Sequence, residues 1–258
     1  MRYRMHMPDS DGLPFHTLLY QNPEIYNKIF PDKTSSPFVL RAIKQYSKGV
    51  PSSVVDFGCG TGSTLEVLAR TILVCVGVDL IPAMLEYGRR VRPNLDLRVG
   101  DMRTARLGRT FDVIVCFGWA FSYALTDHDV EAVLETFRQH AYPGTVLAFD
   151  CGGADWYLER KDGLPDIIMD VDVPGFKARS VSHLDLDPVN LVLTRRRIWY
   201  VDDGKQEEDY TRYRLHKPDE LKGLLESKGF IVKEMGLDPT GKQQAPGERT
   251  LYLVASAI

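Results

Sequence analysis

The fold is decided by the stretch SVVDFGCGTG, which occupies residues 53–62. An apolar run that leads into alternate glycines is typical of a buried strand followed by a tight turn into a helix. Such a turn lets the backbone approach a ligand and directs the free N–H groups of the helix toward it. A dinucleotide fingerprint would need a further glycine where the chain has Ser63. The carboxylate of Asp56, just before the glycines, suits an ammonium group better than a pyrophosphate.

Strand and helix signals alternate around this stretch, from about residue 37 to residue 150. The run at 72–78 is rich in β-branched residues, as expected for a strand buried on both faces. Pro82 lies where the first turn of a helix tolerates proline. Further signals predict strands at 95–99, 111–117 and 145–149 and a helix at 127–140. Strands that alternate with helices predict a parallel sheet with right-handed crossovers, and therefore a doubly wound α/β fold.

The alternation is interrupted between residues 177 and 215. Three strand-like stretches follow one another there, at 177–186, 191–201 and 207–215, with short polar turns between them. We expect an antiparallel meander inserted after the fifth parallel strand. The α/β pattern then resumes with a helix at 218–228 and two strands at 229–236 and 250–256.

The composition limits the classes of function. The net charge of −3 gives no electrostatic case for nucleic-acid binding. No apolar run is long enough to predict a membrane span, and the first fifteen residues lack the apolar centre of a signal peptide. The four cysteines show no C-x-x-C spacing, which favours reduced thiols. We therefore expect a cytoplasmic protein, and we assign no metal site.

Two more acidic residues follow successive predicted strands. Asp79 stands about 20 residues beyond the glycines, where an acid can bind both hydroxyls of a ribose, although aspartate is also common before a helix. Asp101 follows the third strand and can accept a hydrogen bond from an adenine amino group. Met84 and Met102 can contact the adenine ring, or they can be ordinary core residues. Three such features at the carboxyl ends of successive strands predict a nucleoside-bearing cofactor.

Segments 54–62, 77–85, 99–103 and 111–125 together resemble the successive motifs of class I S-adenosylmethionine-dependent methyltransferases. The resemblance implies a Rossmann-like sheet of seven strands in which the last strand is antiparallel. It also implies S-adenosyl-L-methionine as the cofactor and S-adenosyl-L-homocysteine as the product. The residues expected to bind the cofactor are Tyr26, Asp56, Gly58, Gly60, Asp79, Leu80, Met84, Asp101, Met102 and Phe117.

Two other segments narrow the resemblance. Residues 19–30 resemble the N-terminal tyrosine segment of small-molecule methyltransferases, and residues 120–125 resemble amino-sugar N,N-dimethyltransferases and glycine N-methyltransferase-like enzymes. Many of those enzymes have histidine where this chain has Tyr123. The implied organisation has three parts: a cap over the active site at 1–36, a cofactor-binding core at 37–165 and 216–258, and an inserted substrate-side sheet at 166–215.

The catalytic candidates are Tyr123, Tyr26 and His183, with Tyr20 and Asp150 as further groups that could orient or deprotonate an acceptor. Tyr123 ranks first because the loop after the fourth strand faces the cofactor in a doubly wound sheet. His183 belongs to the inserted sheet, so it could line the substrate.

The expected function is N-methylation of a small molecule by a monomer or homodimer. O- or C-methylation of a small, anionic acceptor is the alternative. Arg195 and Arg197 share one face of a strand and favour an anion if that face looks into the site. An NAD-dependent oxidoreductase fits the glycine spacing less well, and a non-catalytic binding module is the third hypothesis.

Overall fold

The protein is described from a computed structural model that covers residues 13–160, 163–201, 204, 206–236, 239 and 249–258. Its parallel core contains β2 (Ser53–Phe57), β3 (Val74–Asp79), β4 (Asp96–Val99), β5 (Val113–Cys116) and β6 (Val146–Gly153), followed at the end of the chain by β11 (Phe230–Gly236) and β12 (Thr250–Ala257). These strands lie in the order β4-β3-β2-β5-β6-β12-β11, and β12 is antiparallel to both of its neighbours.

Helices cover both faces of this sheet because its central strands are buried throughout their length. On one face α3 (Ser35–Tyr46), α4 (Ser63–Leu68) and α5 (Pro82–Val91) pack against the side chain of Val54 and its neighbours. On the other face α6 (Asp127–Gln139) and α8 (Pro218–Ser227) pack against Val55 and its neighbours. The seven-strand order with two helical layers is the predicted doubly wound α/β architecture.

The inserted region has four antiparallel strands, one more than predicted. They are β7 (Ile167–Val173), β8 (Phe176–Asp187), β9 (Val192–Val201) and β10 (Gln206–His216), and α7 (Asp155–Leu158) precedes them. The missed strand, β7, alternates apolar and acidic residues from Met169 to Val173, so the sequence does carry a strand signal there.

The prediction of a seven-stranded sheet is wrong in its size. Leu215 and His216 of β10 pair in parallel with Gly152 and Gly153 of β6, so the inserted strands continue the core sheet. The short strand β1 (Phe15–His16) adds to β10 in turn. The described residues thus form one curled sheet of twelve strands.

The N-terminal segment lies against the cofactor side of the core. It contains α1 (Leu18–Gln21) and α2 (Pro23–Ile29), and α2 packs against α5 and β7. Asn27 of α2 accepts hydrogen bonds from the Thr61 hydroxyl, at 3.0 Å, and from the Arg92 guanidinium, at 3.1 Å. The segment is therefore tied directly to the glycine loop. Residues 1–12 of the expected cap lie outside the described residues.

Among the described helices, none combines the length and the apolar character that crossing a membrane requires.

Candidate active site

The glycine loop between β2 and α4 forms the floor of the site. The backbone N–H groups of Gly58 and Cys59 donate to the carbonyl of Val78, at 2.7 and 3.2 Å, which draws the loop over the end of β3. Gly58 and Gly60 have φ angles of 78° and 56°, a left-handed conformation that residues with side chains rarely adopt. The backbone is therefore bare and accessible where a ligand would approach.

A cleft of about 850 Å³, partly open to solvent, lies above this loop. Nine of the ten expected cofactor-binding residues line it, and so does Tyr123. These nine residues are Tyr26, Gly58, Gly60, Asp79, Leu80, Met84, Asp101, Met102 and Phe117. The structure therefore brings together residues from five separate segments of the chain at the carboxyl edge of the parallel strands.

Asp79 is fixed by backbone donors. One carboxylate oxygen accepts from the N–H of Gly60 at 2.7 Å, and the other accepts from the N–H of Ile81 at 2.9 Å. Burial raises the pKa of this carboxyl group, and these backbone hydrogen bonds oppose that effect. Because each carboxylate oxygen has two lone pairs, acceptor capacity remains for ligand hydroxyls.

Asp101 is oriented by Arg103. The guanidinium of Arg103 donates to both oxygens of Asp101 and also to Asp129, at 2.9 Å. Burial tends to raise the pKa of Asp101, but the hydrogen bonds and charge of Arg103 outweigh it and leave the pKa below its ordinary value. Asp101 is therefore an ionised acceptor held in one orientation at the wall of the cleft.

Asp56 is the tenth expected residue, and it lines a second cavity beside the cleft. It is only 3% exposed, and its Oδ1 atom has no hydrogen-bond partner among the described residues. Burial raises its pKa well above the ordinary value, and the charges of Asp79, Asp32 and Asp150 raise it further. A buried carboxylate without a partner fits a ligand that brings its own cation, such as the ammonium group of S-adenosylmethionine.

The second cavity, of about 1760 Å³, opens from the same loop and is also partly open to solvent. Tyr20, Tyr26, Phe117 and Gly118 line both spaces, so the two are adjoining parts of one site. The outer part of the second cavity is built from the inserted sheet and from Trp119, Tyr157, Tyr213 and Arg249. None of these last four was anticipated from the sequence. For Trp119 a signal existed, because it lies in the loop that follows the fourth parallel strand, β5.

Arg195 and Arg197 both face this cavity, and Arg196 between them points to solvent. The Nε of Arg197 donates to the Ser182 hydroxyl at 3.1 Å. Burial and the charge of Arg195 lower the pKa of Arg197 to about 10. Among the described residues, no carboxylate forms a salt bridge with either inward-facing arginine. The cavity is therefore suited to an anionic group.

Aromatic hydroxyl groups lie where the two spaces meet. The hydroxyls of Tyr20 and Tyr123 are 2.7 Å apart, and the ring of Tyr123 is 5.2 Å from that of Tyr213. Burial raises the pKa of Tyr20 and of Tyr123 well above the ordinary value, and it raises the pKa of Tyr26 to about 12. These hydroxyls are protonated at neutral pH, so they can orient an acceptor but are poor bases.

His183 lies outside the site. Its neighbours Ser182 and Leu184 point inward, and the alternation of β8 therefore turns His183 to the opposite face. The Nδ1 atom of its ring lies 2.8 Å from a carboxylate oxygen of Asp166, and the side chain of His183 is more than half exposed. The position of His183 does not support the catalytic role expected from the sequence.

Asp150 lies behind the cavity wall and lines neither space. It accepts a hydrogen bond from the backbone N–H of Trp119 at 2.7 Å. Burial raises the pKa of its carboxyl group to about 7, although backbone hydrogen bonds from Trp119 and Gly118 oppose the shift. Its contacts are those of a residue that supports the wall.

Comparisons with known proteins indicate a methyltransferase. A family model described as a methyltransferase domain matches residues 54–144. The chain is also similar to the dTDP-4-amino-2,3,4,6-tetradeoxy-D-glucose N,N-dimethyltransferase of Saccharopolyspora spinosa. The two are 28% identical over 198 residues, which cover 74% of this chain and 76% of that protein.

Two solved structures share the fold. An S-adenosylmethionine-dependent methyltransferase from Clostridium acetobutylicum gives a TM-score of 0.79 at 18% identity, covering 93% of this chain and 99% of that one. An amino pentose methyltransferase from Micromonospora echinaspora, with S-adenosylmethionine bound, gives 0.73 at 23% identity, covering 98% and 100%. With the domain match, these findings confirm the prediction of a methyltransferase that uses S-adenosylmethionine.

Replacing Asp79 by alanine should weaken the binding of S-adenosylmethionine by about 10-fold or more, because a charge-assisted hydrogen bond contributes about 1.5–3 kcal/mol. Isothermal titration calorimetry measures the dissociation constant, and thermal denaturation checks that the variant is folded. Asp96→Ala, at an exposed aspartate of β4, serves as the matched control. An unchanged dissociation constant in Asp79→Ala would contradict a contact with the ribose.

Replacing Asp150 by asparagine should change how stability depends on pH. Because the pKa of Asp150 is higher in the folded than in the unfolded chain, its contribution to stability is full below about pH 4 and is lost as the pH rises through about 7. The amide does not titrate, so the variant should gain roughly 1–3 kcal/mol relative to wild type between pH 5 and pH 8. Urea unfolding at both pH values measures this difference, and parallel behaviour of the two proteins would contradict it.

Proposed function

We propose that this chain, which is an S-adenosylmethionine-dependent methyltransferase of the small-molecule class, methylates the amine of a sugar linked to a nucleoside diphosphate. The observation that carries the proposal is the pair of inward-facing arginines, Arg195 and Arg197, in a cavity that adjoins the cofactor cleft; neither forms a salt bridge with a carboxylate of the described residues. Arg249 lines the same cavity. Guanidinium groups bind phosphate oxygens well, and they favour a substrate that carries phosphate. The Saccharopolyspora spinosa relative, by its name, acts on a dTDP-linked amino sugar.

The same site supports nitrogen as the methylated atom. A hydroxyl acceptor needs a base to remove its proton in or before the transition state, whereas a neutral amine already carries a free lone pair. No histidine of the described part of the chain lines either space, and burial raises the pKa of Tyr20, Tyr26 and Tyr123. The second candidate is O- or C-methylation of a small anionic acceptor, which the arginines favour equally.

We propose cofactor contacts for the residues that line the cleft and the second cavity. We assign Asp56 to the ammonium group, Asp79 to the ribose hydroxyls and Asp101 to the adenine amino group. Gly58 and Gly60 leave room for the methionine portion, and the remaining expected residues (Tyr26, Leu80, Met84, Met102 and Phe117) cover its apolar parts. When bound, the cofactor supplies a methyl group already activated by a sulfonium.

The residues of the chain position the acceptor amine relative to the methyl group. The Tyr20–Tyr123 hydroxyl pair orients the acceptor amine, and the proton of the methylated amine leaves to solvent through the open cavity. Alignment of the reacting atoms is worth roughly 7–11 kcal/mol of the barrier in well-oriented systems. We also propose the division into an N-terminal cap at 1–36, a core at 37–165 and 216–258, and a substrate-side sheet at 166–215. A cytoplasmic location, a monomeric or homodimeric state and the absence of a nucleic-acid partner stay predictions from the sequence.

The proposal predicts methyl transfer to a dTDP-linked amino-deoxysugar. Mass spectrometry of the product, with S-adenosylhomocysteine release measured in parallel, should find one or two methyl groups on the amine. Replacing both Arg195 and Arg197 by alanine should raise the KM for this substrate by about 10-fold or more, because charge-assisted bonds to phosphate are lost. The dissociation constant of S-adenosylmethionine should change little.

Arg196→Ala is the matched control, since it removes the same side chain from the outer face of the same strand. If the double variant and this control behave alike, the anion site is contradicted. If the amino-sugar nucleotide is not methylated but a phosphorylated alcohol is, the O-methyltransferase alternative replaces the proposal.

Tyr123→Phe should lower kcat several-fold and leave the cofactor's dissociation constant nearly unchanged, because the hydroxyl orients the acceptor rather than the cofactor. Steady-state kinetics with calorimetry separates the two quantities. Equal losses in both would place the hydroxyl at the cofactor instead.

A further inference from the structure

Trp119 has an unusual backbone conformation. Its φ angle is 61°, in the left-handed region that a bulky side chain adopts only at a cost, and it directly follows Gly118 with φ 73°. Strain of this kind persists when the surrounding structure overrides it, and it concentrates at functional sites. Contacts with the surrounding residues must therefore stabilise this conformation.

Three strands hold the residue in place. Asp150 of β6 accepts its backbone N–H at 2.7 Å, and Thr250 of β12 accepts its indole N–H at 3.0 Å. The ring of Tyr213, on β10, meets the indole edge-to-face at a centroid distance of 5.3 Å. Gly152 lies beside the indole, and a Cβ atom at this position would be only 3.1 Å from the ring. Both the backbone and the ring of Trp119 are thus fixed in one orientation.

Trp119 has neighbours on the cofactor side of the site and on the side of the arginines. Gly118, the preceding residue, lines both the cofactor cleft and the second cavity. Tyr213, which contacts the indole, lies under the guanidinium of Arg195 at 5.5 Å from ring centroid to carbon. Trp119 itself is only partly buried and lines the second cavity. Trp119 is therefore placed to contact an acceptor that extends from the cofactor cleft to the arginines.

We infer that the indole of Trp119 is the platform on which the sugar ring of the acceptor stacks, and that Asp150 is the positioning residue that holds this platform. The inference rests on the proposed function, because in an amino-sugar nucleotide the sugar is the part between amine and phosphate. The C–H bonds on one face of a pyranose carry partial positive charge, which the electron-rich face of an aromatic ring attracts. The residue selects for a cyclic acceptor with an apolar face.

The test compares two probes on protein saturated with S-adenosylhomocysteine. Calorimetry gives the dissociation constants of dTDP-glucose, which has the sugar, and of dTDP, which lacks it. Trp119→Gly removes the ring and also relieves the strain, since glycine adopts a positive φ freely, so this variant should fold. Trp119→Gly should weaken the binding of dTDP-glucose roughly 5-fold or more and the binding of dTDP less than 2-fold. Trp119→Phe, which keeps an aromatic face, should fall between wild type and Trp119→Gly.

Asp150 is tested by two substitutions. Asparagine keeps an oxygen that can accept the Trp119 N–H, so Asp150→Asn should retain the preference for dTDP-glucose over dTDP. Asp150→Leu loses the acceptor and should lose that preference, while binding of S-adenosylhomocysteine stays within about 3-fold of wild type. If Asp150→Leu lowers the affinities for dTDP-glucose, dTDP and S-adenosylhomocysteine together, Asp150 has a merely structural role and the positioning assignment is overturned.

The outcomes separate the two proposals. If wild type binds both probes but Trp119→Gly weakens them equally, the stacking inference is overturned and the nucleotide-sugar function stands. If wild type binds neither probe, the proposed function fails, and the inference that rests on it fails as well.

Discussion

Three carboxyl groups lie at the carboxyl edge of the parallel strands, those of Asp56 and Asp150 buried and that of Asp79 half-buried, and the cost of removing each from water must be offset. The chain does this for two of them. Asp79 receives backbone N–H groups from the glycine loop, and Asp150 receives the N–H of Trp119. The part of the chain that the structure describes supplies no partner for the Oδ1 atom of Asp56. The hydrogen bond to Asp79 fixes the conformation of the glycine loop, and the hydrogen bond to Asp150 fixes that of the loop after β5.

The site as a whole is electrically polarised. Carboxyl groups concentrate at the cofactor end, and the guanidinium groups of Arg195, Arg197 and Arg249 line the second cavity. A cationic cofactor and an anionic acceptor therefore each meet charge of the opposite sign. The neutral tyrosine hydroxyls between them give orientation without adding charge where the methyl group moves.

Much of this could be predicted from the sequence, because it depends on local spacing. The position of Asp79 and Asp101 after successive strands follows from the strand–helix alternation alone. The size of the sheet could not be predicted, since the pairing of Leu215 and His216 with Gly152 and Gly153 joins distant residues. The outward orientation of His183 could not be predicted, because the inward face of β8 depends on its pairing with β9, which no local pattern fixes.

The arginine triplet of β9 has a consequence for how this protein can change over time. Side chains of a strand alternate, so a one-residue insertion or deletion in an adjoining turn exchanges its two faces. With a single arginine such a slip would abolish the positive charge of the cavity. With Arg195, Arg196 and Arg197 in succession, the slip turns Arg196 inward in place of the other two. Lineages can thus alter the length of the neighbouring turns, and with it the shape of the acceptor cavity, and still keep a residue that binds an anion.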